Sequence, residues 1–363
     1  MKRVGFLYDK ITDEANIRAA ILNSSKGKRD QRRVKRVLVD IDGHAQRIRQ
    51  MLLNRAFVPA PYIERTIHDN SAGKQRTISK PRYYPDQIIH WALMQVIQPI
   101  IMRGMYRYCC GSVPGRGTSD GQRALRRWLD TDYKGTRWCL KMDIEKFYPS
   151  VDNETLKSMF RRKIKCPNTL WLIDIIIDSA DGLPIGNYTS QWFSNFYLEG
   201  LDHYIKQQLR VPYYIRYVDD LVLLGPNKRK LHRARIDIAD YLAKIHLSVK
   251  GNWQVFRVKD RPIDFLGFRF YRDRTTLRKR NALRIRRRMR RIGKKGHLNH
   301  KDAAAVISYW GWIKRSDSYG FYHKHVKPYV TIKQARRTVS NHARLRNHSE
   351  RRTGEGEPGT PGG

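Results

Sequence analysis

The run Tyr213-Tyr214-Ile215-Arg216-Tyr217-Val218-Asp219-Asp220-Leu221-Val222-Leu223-Leu224-Gly225 constrains this chain more than any other. It reads as two apolar β runs joined by an Asp-Asp turn, a hairpin without the usual Asn-Gly or Asp-Gly tip. Adjacent like charges repel, and apolar flanks raise the cost of desolvating them. A cation has to compensate, and clustered carboxylates ordinarily take Mg²⁺ with substrate phosphates. A solvated acidic turn is the bland alternative. It fits poorly with two carboxylates gripped by β runs in a basic chain.

How basic decides the partner. Lys and Arg number 73 against 33 Asp and Glu, a formal net charge of +40 over 363 residues. Such an excess self-repels unless a polyanion neutralises it. With 11% aromatic residues available for stacking on bases, nucleic acid is the leading partner. An anionic membrane is the rival, but the most apolar stretch, Trp171–Ile177, is broken by Asp174 and closed by Asp178. Residues 1–11 lack the apolar core of a secretory signal, so no membrane and a cytoplasmic location are expected. Cys109, Cys110, Cys139 and Cys166 have no zinc-finger spacing and read as free thiols. The histidines, including His297, His300, His323 and His325, sit among Lys and Arg that would repel a metal.

A hydrophobic content of 40% supports a sizeable core. The first sixty residues read as basic helices burying Ile17, Ile21, Ile41, Ile48, Leu52 and Leu53. Residues 62–67 and 74–81 alternate around Asn70-Ser71-Ala72-Gly73 and predict a hairpin carrying Lys74 and Arg76. A helix is predicted from Pro85, with Ile88, Ile89, Ala92, Leu93, Val96 and Ile97 at helical spacing. Gly115-Arg116-Gly117 lies in a loop suited to close approach by a nucleic-acid backbone. Trp138–Ile144 reads as a buried strand ending in Asp143, and Asp152 or Asn153 caps the helix that follows. A helix ending at Ala180, a long helix over 190–209 and another near 230–246 are predicted, with strands at 253–258 and 265–270. That order implies an α+β domain, an antiparallel sheet with helices on one face, with Asp143 beside Asp219. From Arg278 to Lys295 there are eleven Lys or Arg in eighteen residues and no acid, which, with the aromatic residues after it, predicts a helical module against a nucleic-acid backbone.

Carboxylates from separate segments can hold two Mg²⁺ roughly 3.5–4 Å apart, clamping the attacking and leaving oxygens of a phosphoryl transfer. A nuclease could use the same pair. It has no need of a cationic hairpin such as Lys74 and Arg76, which suits a triphosphate.

Tyr217-Val218-Asp219-Asp220, with Asp143 and Phe265-Leu266-Gly267, resembles the palm of reverse transcriptases, in the family's order over residues 60–275. The resemblance implies a right-hand polymerase: N-terminal region and fingers over 1–135, palm with antiparallel sheet over 136–272 with some finger elements interleaved, and basic helical thumb over 273–346; the low-complexity composition after Asn347 predicts a disordered tail over 347–363. It implies that Asp143, Asp219, Asp220 and the Ile144 carbonyl hold two Mg²⁺ (Mn²⁺ as a substitute), and that Asp143, Asp219 and Asp220 are catalytic. Tyr148 takes the position that stacks on the sugar and excludes ribonucleotides. Lys74, Arg76, Ile185, Gly186, Gln191 and Lys250 fall at nucleotide-binding positions, and Phe265, Leu266 and Gly267 at the primer grip. Arg116, Arg284, Arg287, Arg288 and Arg291 are expected on the nucleic-acid backbone.

The loop Leu183-Pro184-Ile185-Gly186-Asn187-Tyr188-Thr189-Ser190-Gln191 departs from the common Pro-Gln-Gly…Ser-Pro pattern. Ile185 replaces Gln and Gln191 replaces the last Pro. That combination is similar to the bacterial or phage enzymes of diversity-generating retroelements, which copy a structured template RNA into cDNA with errors at adenines. It implies template RNA, primer and dNTPs as ligands and a small, basic, oligomeric accessory protein as partner. Another prokaryotic reverse transcriptase (defence-associated or retron-like) and a non-catalytic RNA-binding scaffold are the alternatives.

Overall fold

The structure, a computed structural model, describes residues 2–69 and 74–354. The chain forms two compact units, one ending at Arg257 and the other starting at Val258. That division precedes the expected boundary at 272/273, because the strands after Val258 pack with the C-terminal helices. The finger and palm spans, in contrast, form one unit.

The first unit opens with helices Tyr8–Thr12, Glu14–Ser25, Arg32–Val39 and Ile41–Leu53. Asp13 starts the second by accepting the amides of Ala15 and Asn16, and Asp40 caps the fourth through the Gly43 amide. Ile17, Ile21, Ile48 and Leu52 are fully buried as expected. Ile41 is only half-buried, and Leu53, one residue round the helix from Leu52, faces solvent. The helix expected from Pro85 becomes regular only at Ile88 and runs to Met102. Tyr84, restricted by the proline after it, is extended (φ −115°, ψ 130°), so the entry is a wide π-type turn over Tyr83–Gln87.

Strands β1 (Ile63–Asp69) and β2 (Lys74–Lys80) pair antiparallel as the expected hairpin. Its tip, 70–73, lies outside the described residues. The central sheet comprises β3 (Trp138–Asp143), β4 (Tyr213–Tyr217), β5 (Asp220–Gly225) and β6 (Gln254–Arg257), all antiparallel in the order β4-β5-β3-β6. Successive strand residues face opposite sides, and Leu221 to Leu224 are all fully buried. Both faces of β5 are therefore covered, where covering of one was expected.

Helices Asn153–Lys163, capped by Asp152, and Pro167–Asp178 pack together. The long helix expected over 190–209 is three pieces: Tyr188–Tyr197, Glu199–His203 and a π-type turn Tyr204–Gln208. Leu198 (φ −94°, ψ 4°) leaves helical geometry between the first two. Helix Lys228–Ala243 then lies against β3, β5 and β6.

In the second unit the expected strand 265–270 is a hairpin of β7 (Ile263–Phe265) and β8 (Phe268–Phe270), with β9 (Thr275–Leu277) completing a three-stranded sheet. Leu266 (φ 52°) and Gly267 (φ 85°) make the two-residue turn. The basic segment is helix Lys279–Lys295, burying Ile285, Met289 and Ile292, with Asn281 in place of the half-exposed Leu283. Helices His300–Ile313, Tyr319–His325 and Ile332–Gly354 follow. The last overrides the expected disorder from 347 to 354: no Gly or Pro interrupts it before Gly354, and its Arg, Ala, Gln and Glu residues form helix readily. The rest of that tail, 355–363, lies outside the described residues. No helix among them is long and apolar enough to cross a membrane.

Candidate active site

Strand register brings the three carboxylates together. Asp143, the last residue of β3, stands directly opposite Asp220, the first of β5. Tyr217 also pairs with Asp220, so the turn between β4 and β5 is Val218-Asp219 and not the expected Asp219-Asp220. The Ile144 amide donates to the Asp219 carbonyl at 3.2 Å, fastening the turn to the end of β3. Burial, then the charge of Asp143 and that of Asp220, push the Asp219 carboxyl up to about 6, helped by a side-chain hydrogen bond with Asp143. Lysines take up part of the charge: Lys250 Nζ is 3.5 Å from Asp143 and Lys141 Nζ is 3.6 Å from Asp220.

Among the described residues no three His, Cys, Asp or Glu side chains form a ready-made metal cage. The fit to a divalent ion rests on the Asp143–Asp219 pair instead. Carboxylates brought this close raise the cost of ionising one another, and a bound cation relieves it.

The turn is held by a group outside the expected set. Arg216, fully buried in β4, grips Asp202 with Nε (2.8 Å) and Nη2 (2.6 Å). Its Nη1 donates to the Val218 carbonyl at 2.9 Å and to Asn195 Oδ1 at 3.2 Å. Tyr214 adds a hydroxyl to Asp202 at 2.7 Å. Val218 sits at φ 58°, a costly conformation for a β-branched residue, so its surroundings must impose it. Gly111 makes room: a Cβ there would lie 2.6 Å from Val218 Cγ2 and 2.9 Å from its backbone nitrogen. Asn195 ties the Gly111 and Gln191 carbonyls together (2.6 and 3.1 Å), joining the turn to helix Tyr188–Tyr197. One signal was present in the sequence. An arginine in mid-strand between apolar neighbours requires a buried acidic partner.

Tyr148 is half-buried, its ring edge-on to Phe147. Burial and the charge of Asp219 raise its hydroxyl above the usual tyrosine value, against the Ser194 hydrogen bond. Its carbonyl accepts the Leu183 amide at 2.8 Å, which places the 183–187 loop beside it. The exposed Ile185 accepts the Ser79 amide at 2.8 Å, tying that loop to β2. Gly186 (φ 114°) lies so close that a Cβ would reach within 2.6 Å of Ile78 Cγ2. Gln191 is exposed in the first turn of its helix, and Arg76 is exposed on β2. Lys74 pairs with Asp69 in the hairpin; its side chain lies outside what is described.

Other expected site residues have different employment. Arg116 donates to the Met105 (3.3 Å) and Tyr106 (3.0 Å) carbonyls and braces its own loop. Phe265 is fully buried in the second unit, while Leu266-Gly267 caps a hairpin whose Gly267 carbonyl accepts from Arg278 and Asn281. Arg288 is committed to Asp302 at 2.6 Å, and Arg284 lies over the rings of Tyr309 and Trp312. Arg287 and Arg291, one turn apart, remain exposed.

Residues 67–270 match the sequence family described as reverse transcriptase (RNA-dependent DNA polymerase). A curated relative, the group II intron-encoded protein LtrA of Lactococcus lactis, is 23% identical over 173 residues, covering 45% of this chain. The match spans only 28% of that relative's length. Among solved structures, apo telomerase from Candida tropicalis lacking its C-terminal domain aligns at 14% identity and a TM-score of 0.44, covering 61% of this chain and 56% of that one. Telomerase from Candida albicans with a fragment of telomeric RNA aligns at 12% and 0.46, covering 74% and 55%. At such values both are remote likenesses.

Proposed function

The chain belongs to the reverse transcriptase family, and from that premise we propose that it is an RNA-directed DNA polymerase of right-hand architecture, extending a primer on a template RNA. One observation carries this: Asp143 opposite Asp220, with Asp219 in the adjoining turn and its carboxyl pushed up to about 6. Asp143, Asp219 and Asp220, with the Ile144 carbonyl, would hold divalent ions, Mg²⁺ or its substitute Mn²⁺. Bound there, the ions supply activation of the primer 3′-hydroxyl and neutralisation of phosphate charge. Lys250, now on Asp143, would turn toward the pyrophosphate as the carboxylate takes up cations. Tyr148 offers its ring as the floor beneath the sugar, and the Ile185-Gly186 loop, fastened to β2, backs the incoming base. Lys74 and Arg76 on that same strand suit the triphosphate.

The Ile185 loop supports the finer reading of an error-prone enzyme of a diversity-generating retroelement, working with a small basic accessory protein. An exposed aliphatic side chain lacks the amide hydrogen bonds of Gln, and one or two such contacts are worth about 1–3 kcal/mol of discrimination. A second reading, an intron-type reverse transcriptase, is favoured by the similarity to the group II intron-encoded protein.

Primer extension on an RNA template with Mg²⁺ and dNTPs tests the activity, with Asp219→Ala as control. Product from the wild type alone is expected; none from either leaves a non-catalytic RNA scaffold. Sequencing cDNA from Ile185→Gln tests the finer reading: adenine errors should fall, and an unchanged spectrum removes it.

A further inference from the structure

A pocket of about 440 Å³ opens among helix Arg32–Val39, helix Ile41–Leu53, the start of β1 and residues 82–84. Its size lies within the roughly 300–1,000 Å³ of small-ligand sites. Arg33, Arg36 and Arg82 line it together with His44, Tyr84 and Ile63, and none of these has a part in the chemistry above.

The three arginines are exposed, and among the described residues none has a carboxylate partner at ion-pair distance. Arg82 acts on the buried Asp86 only through its field, and the nearby acid Asp40 is taken by Arg47 (3.1 Å) and the Gly43 amide (2.8 Å). Three guanidinium groups round a concavity, without counter-charge, make a focused positive potential. Their fork geometry matches phosphate oxygens. Between them, Tyr84 and His44 meet edge to face, with ring centres 4.9 Å apart and planes at 87°. Both rings line the pocket with part of their surface, Tyr84 half-buried and the His44 side chain 14% exposed, and a base stacks on an aromatic face whatever its sequence. Ile63, 44% exposed, adds an apolar wall.

We infer that this pocket holds one unpaired nucleotide of the RNA, its phosphate on the arginines and its base against Tyr84 or His44. The RNA partner is taken from the polymerase reading; the site is separate from the carboxylates. Paired bases in an RNA helix cannot enter, because their faces are stacked and their edges joined, whereas a loop or bulge can splay a base out. The wall is linked to the nucleotide loop: Ser79, bonded to Ile185, lies three residues before Arg82 on the same chain.

The test compares the full chain binding a stem–loop RNA and a fully paired duplex of equal length, followed by fluorescence anisotropy. Arg33→Glu with Arg36→Glu, at exposed helix positions, should weaken stem–loop binding at least about tenfold and duplex binding far less, with no fall in melting temperature. Ultraviolet crosslinks from 4-thiouridine in the loop should fall on the peptide bearing Tyr84 or that bearing His44, and Tyr84→Ala should weaken stem–loop binding selectively. Equal loss for both RNAs would mean a diffuse basic surface and overturn the proposal. So would crosslinks elsewhere, full displacement by AMP alone, or competition by anionic phosphatidylserine vesicles. Asp219→Asn separates the two readings. It should abolish extension and leave stem–loop selectivity intact, whereas selectivity in a wild type that extends no primer would keep the pocket and remove the polymerase.

Discussion

Arg216 and Asp202 share a fully buried ion pair in the first unit, and what Arg216 does with its remaining nitrogen matters most. Removing either partner strands a buried charge, which costs about 3–5 kcal/mol, whereas replacing both with apolar side chains of similar volume is often neutral. Arg216→Met with Asp202→Leu should therefore melt above each single variant, yet below the wild type because the buried Tyr214 hydroxyl and Asn195 lose a partner; adding Tyr214→Phe should recover part of that difference. The double variant has also lost the donor on the Val218 carbonyl. Its kcat should fall about 10–100-fold, with a smaller change in KM for dNTP; unaltered kcat would make the pair a packing device only. Why Asp143 and Asp219 were legible and this pair was not follows from chemistry. Clustered acids between apolar runs announce a cation, but nothing near Arg216 in sequence says that its partner sits on a helix fourteen residues earlier. His90 was equally silent, one polar position with Gln95 and Gln98 on an otherwise apolar helix. Burial drives its pKa down to about 4, against a hydrogen bond to Asn187 at 2.8 Å. A histidine whose folded value lies below the ordinary 6.5 gives its full stability above 6.5 and loses it as pH falls toward 4, because the unfolded chain binds the proton first. The loss should reach about 3 kcal/mol, seen as a steeper fall of denaturant midpoint between pH 6.5 and 4 than in His90→Gln.

The elements that sequence pattern placed well are those whose period and caps agree, such as Asn153–Lys163 behind Asp152 or the β1–β2 hairpin. Those it misread were decided by single backbone positions. Leu266-Gly267 folds an apolar run back on itself, and Leu198 breaks a helix whose apolar residues continue past it. The β4–β5 turn is the same kind of case. Pairing of Tyr217 with Asp220 leaves Val218 and Asp219 to make the reversal, and a valine at φ 58° would not be chosen from local preference. That conformation is held from outside the turn, by the Arg216 guanidinium two residues earlier on β4 and by contact with the Gly111 segment, whose neighbour Cys110 bonds to the Arg216 carbonyl at 2.9 Å. Gly111→Ala should push the turn outward, since the new methyl would meet both Cγ2 and the amide nitrogen of Val218. Primer extension should drop at least about tenfold while RNA binding holds, because a shift of about 1 Å in a reacting group costs that much or more. Adding Val218→Ala removes Cγ2 but not the nitrogen, so recovery should be partial. Full activity in Gly111→Ala would show that the turn does not depend on this contact.

For the whole molecule, the net charge of +40 bears on stability as well as on binding. Much of the basic surface is already employed within the fold: Arg288 on Asp302, Arg284 on two aromatic rings, Arg116 on backbone carbonyls, Lys163 on Glu199. The remainder repel one another, and salt weakens that repulsion as the Debye length shrinks from about 10 Å at 0.1 M toward 3 Å at 1 M. The free protein should therefore melt higher as NaCl rises from 50 to 300 mM. RNA acts in the opposite sense. Each phosphate contact releases a counterion, so affinity falls steeply with salt, by about 10³-fold or more between 50 and 200 mM for six or more contacts. The stabilisation from bound RNA follows the ratio of its concentration to Kd and shrinks with that affinity. The two melting curves, with and without a saturating stem–loop RNA, should start far apart at low salt and converge as it increases, one rising and one falling. Differential scanning fluorimetry across a NaCl series reads both at once. A free protein that melts lower as salt is added would show that its charges are balanced in the fold, and that the excess of lysine and arginine is not held in tension for a polyanion.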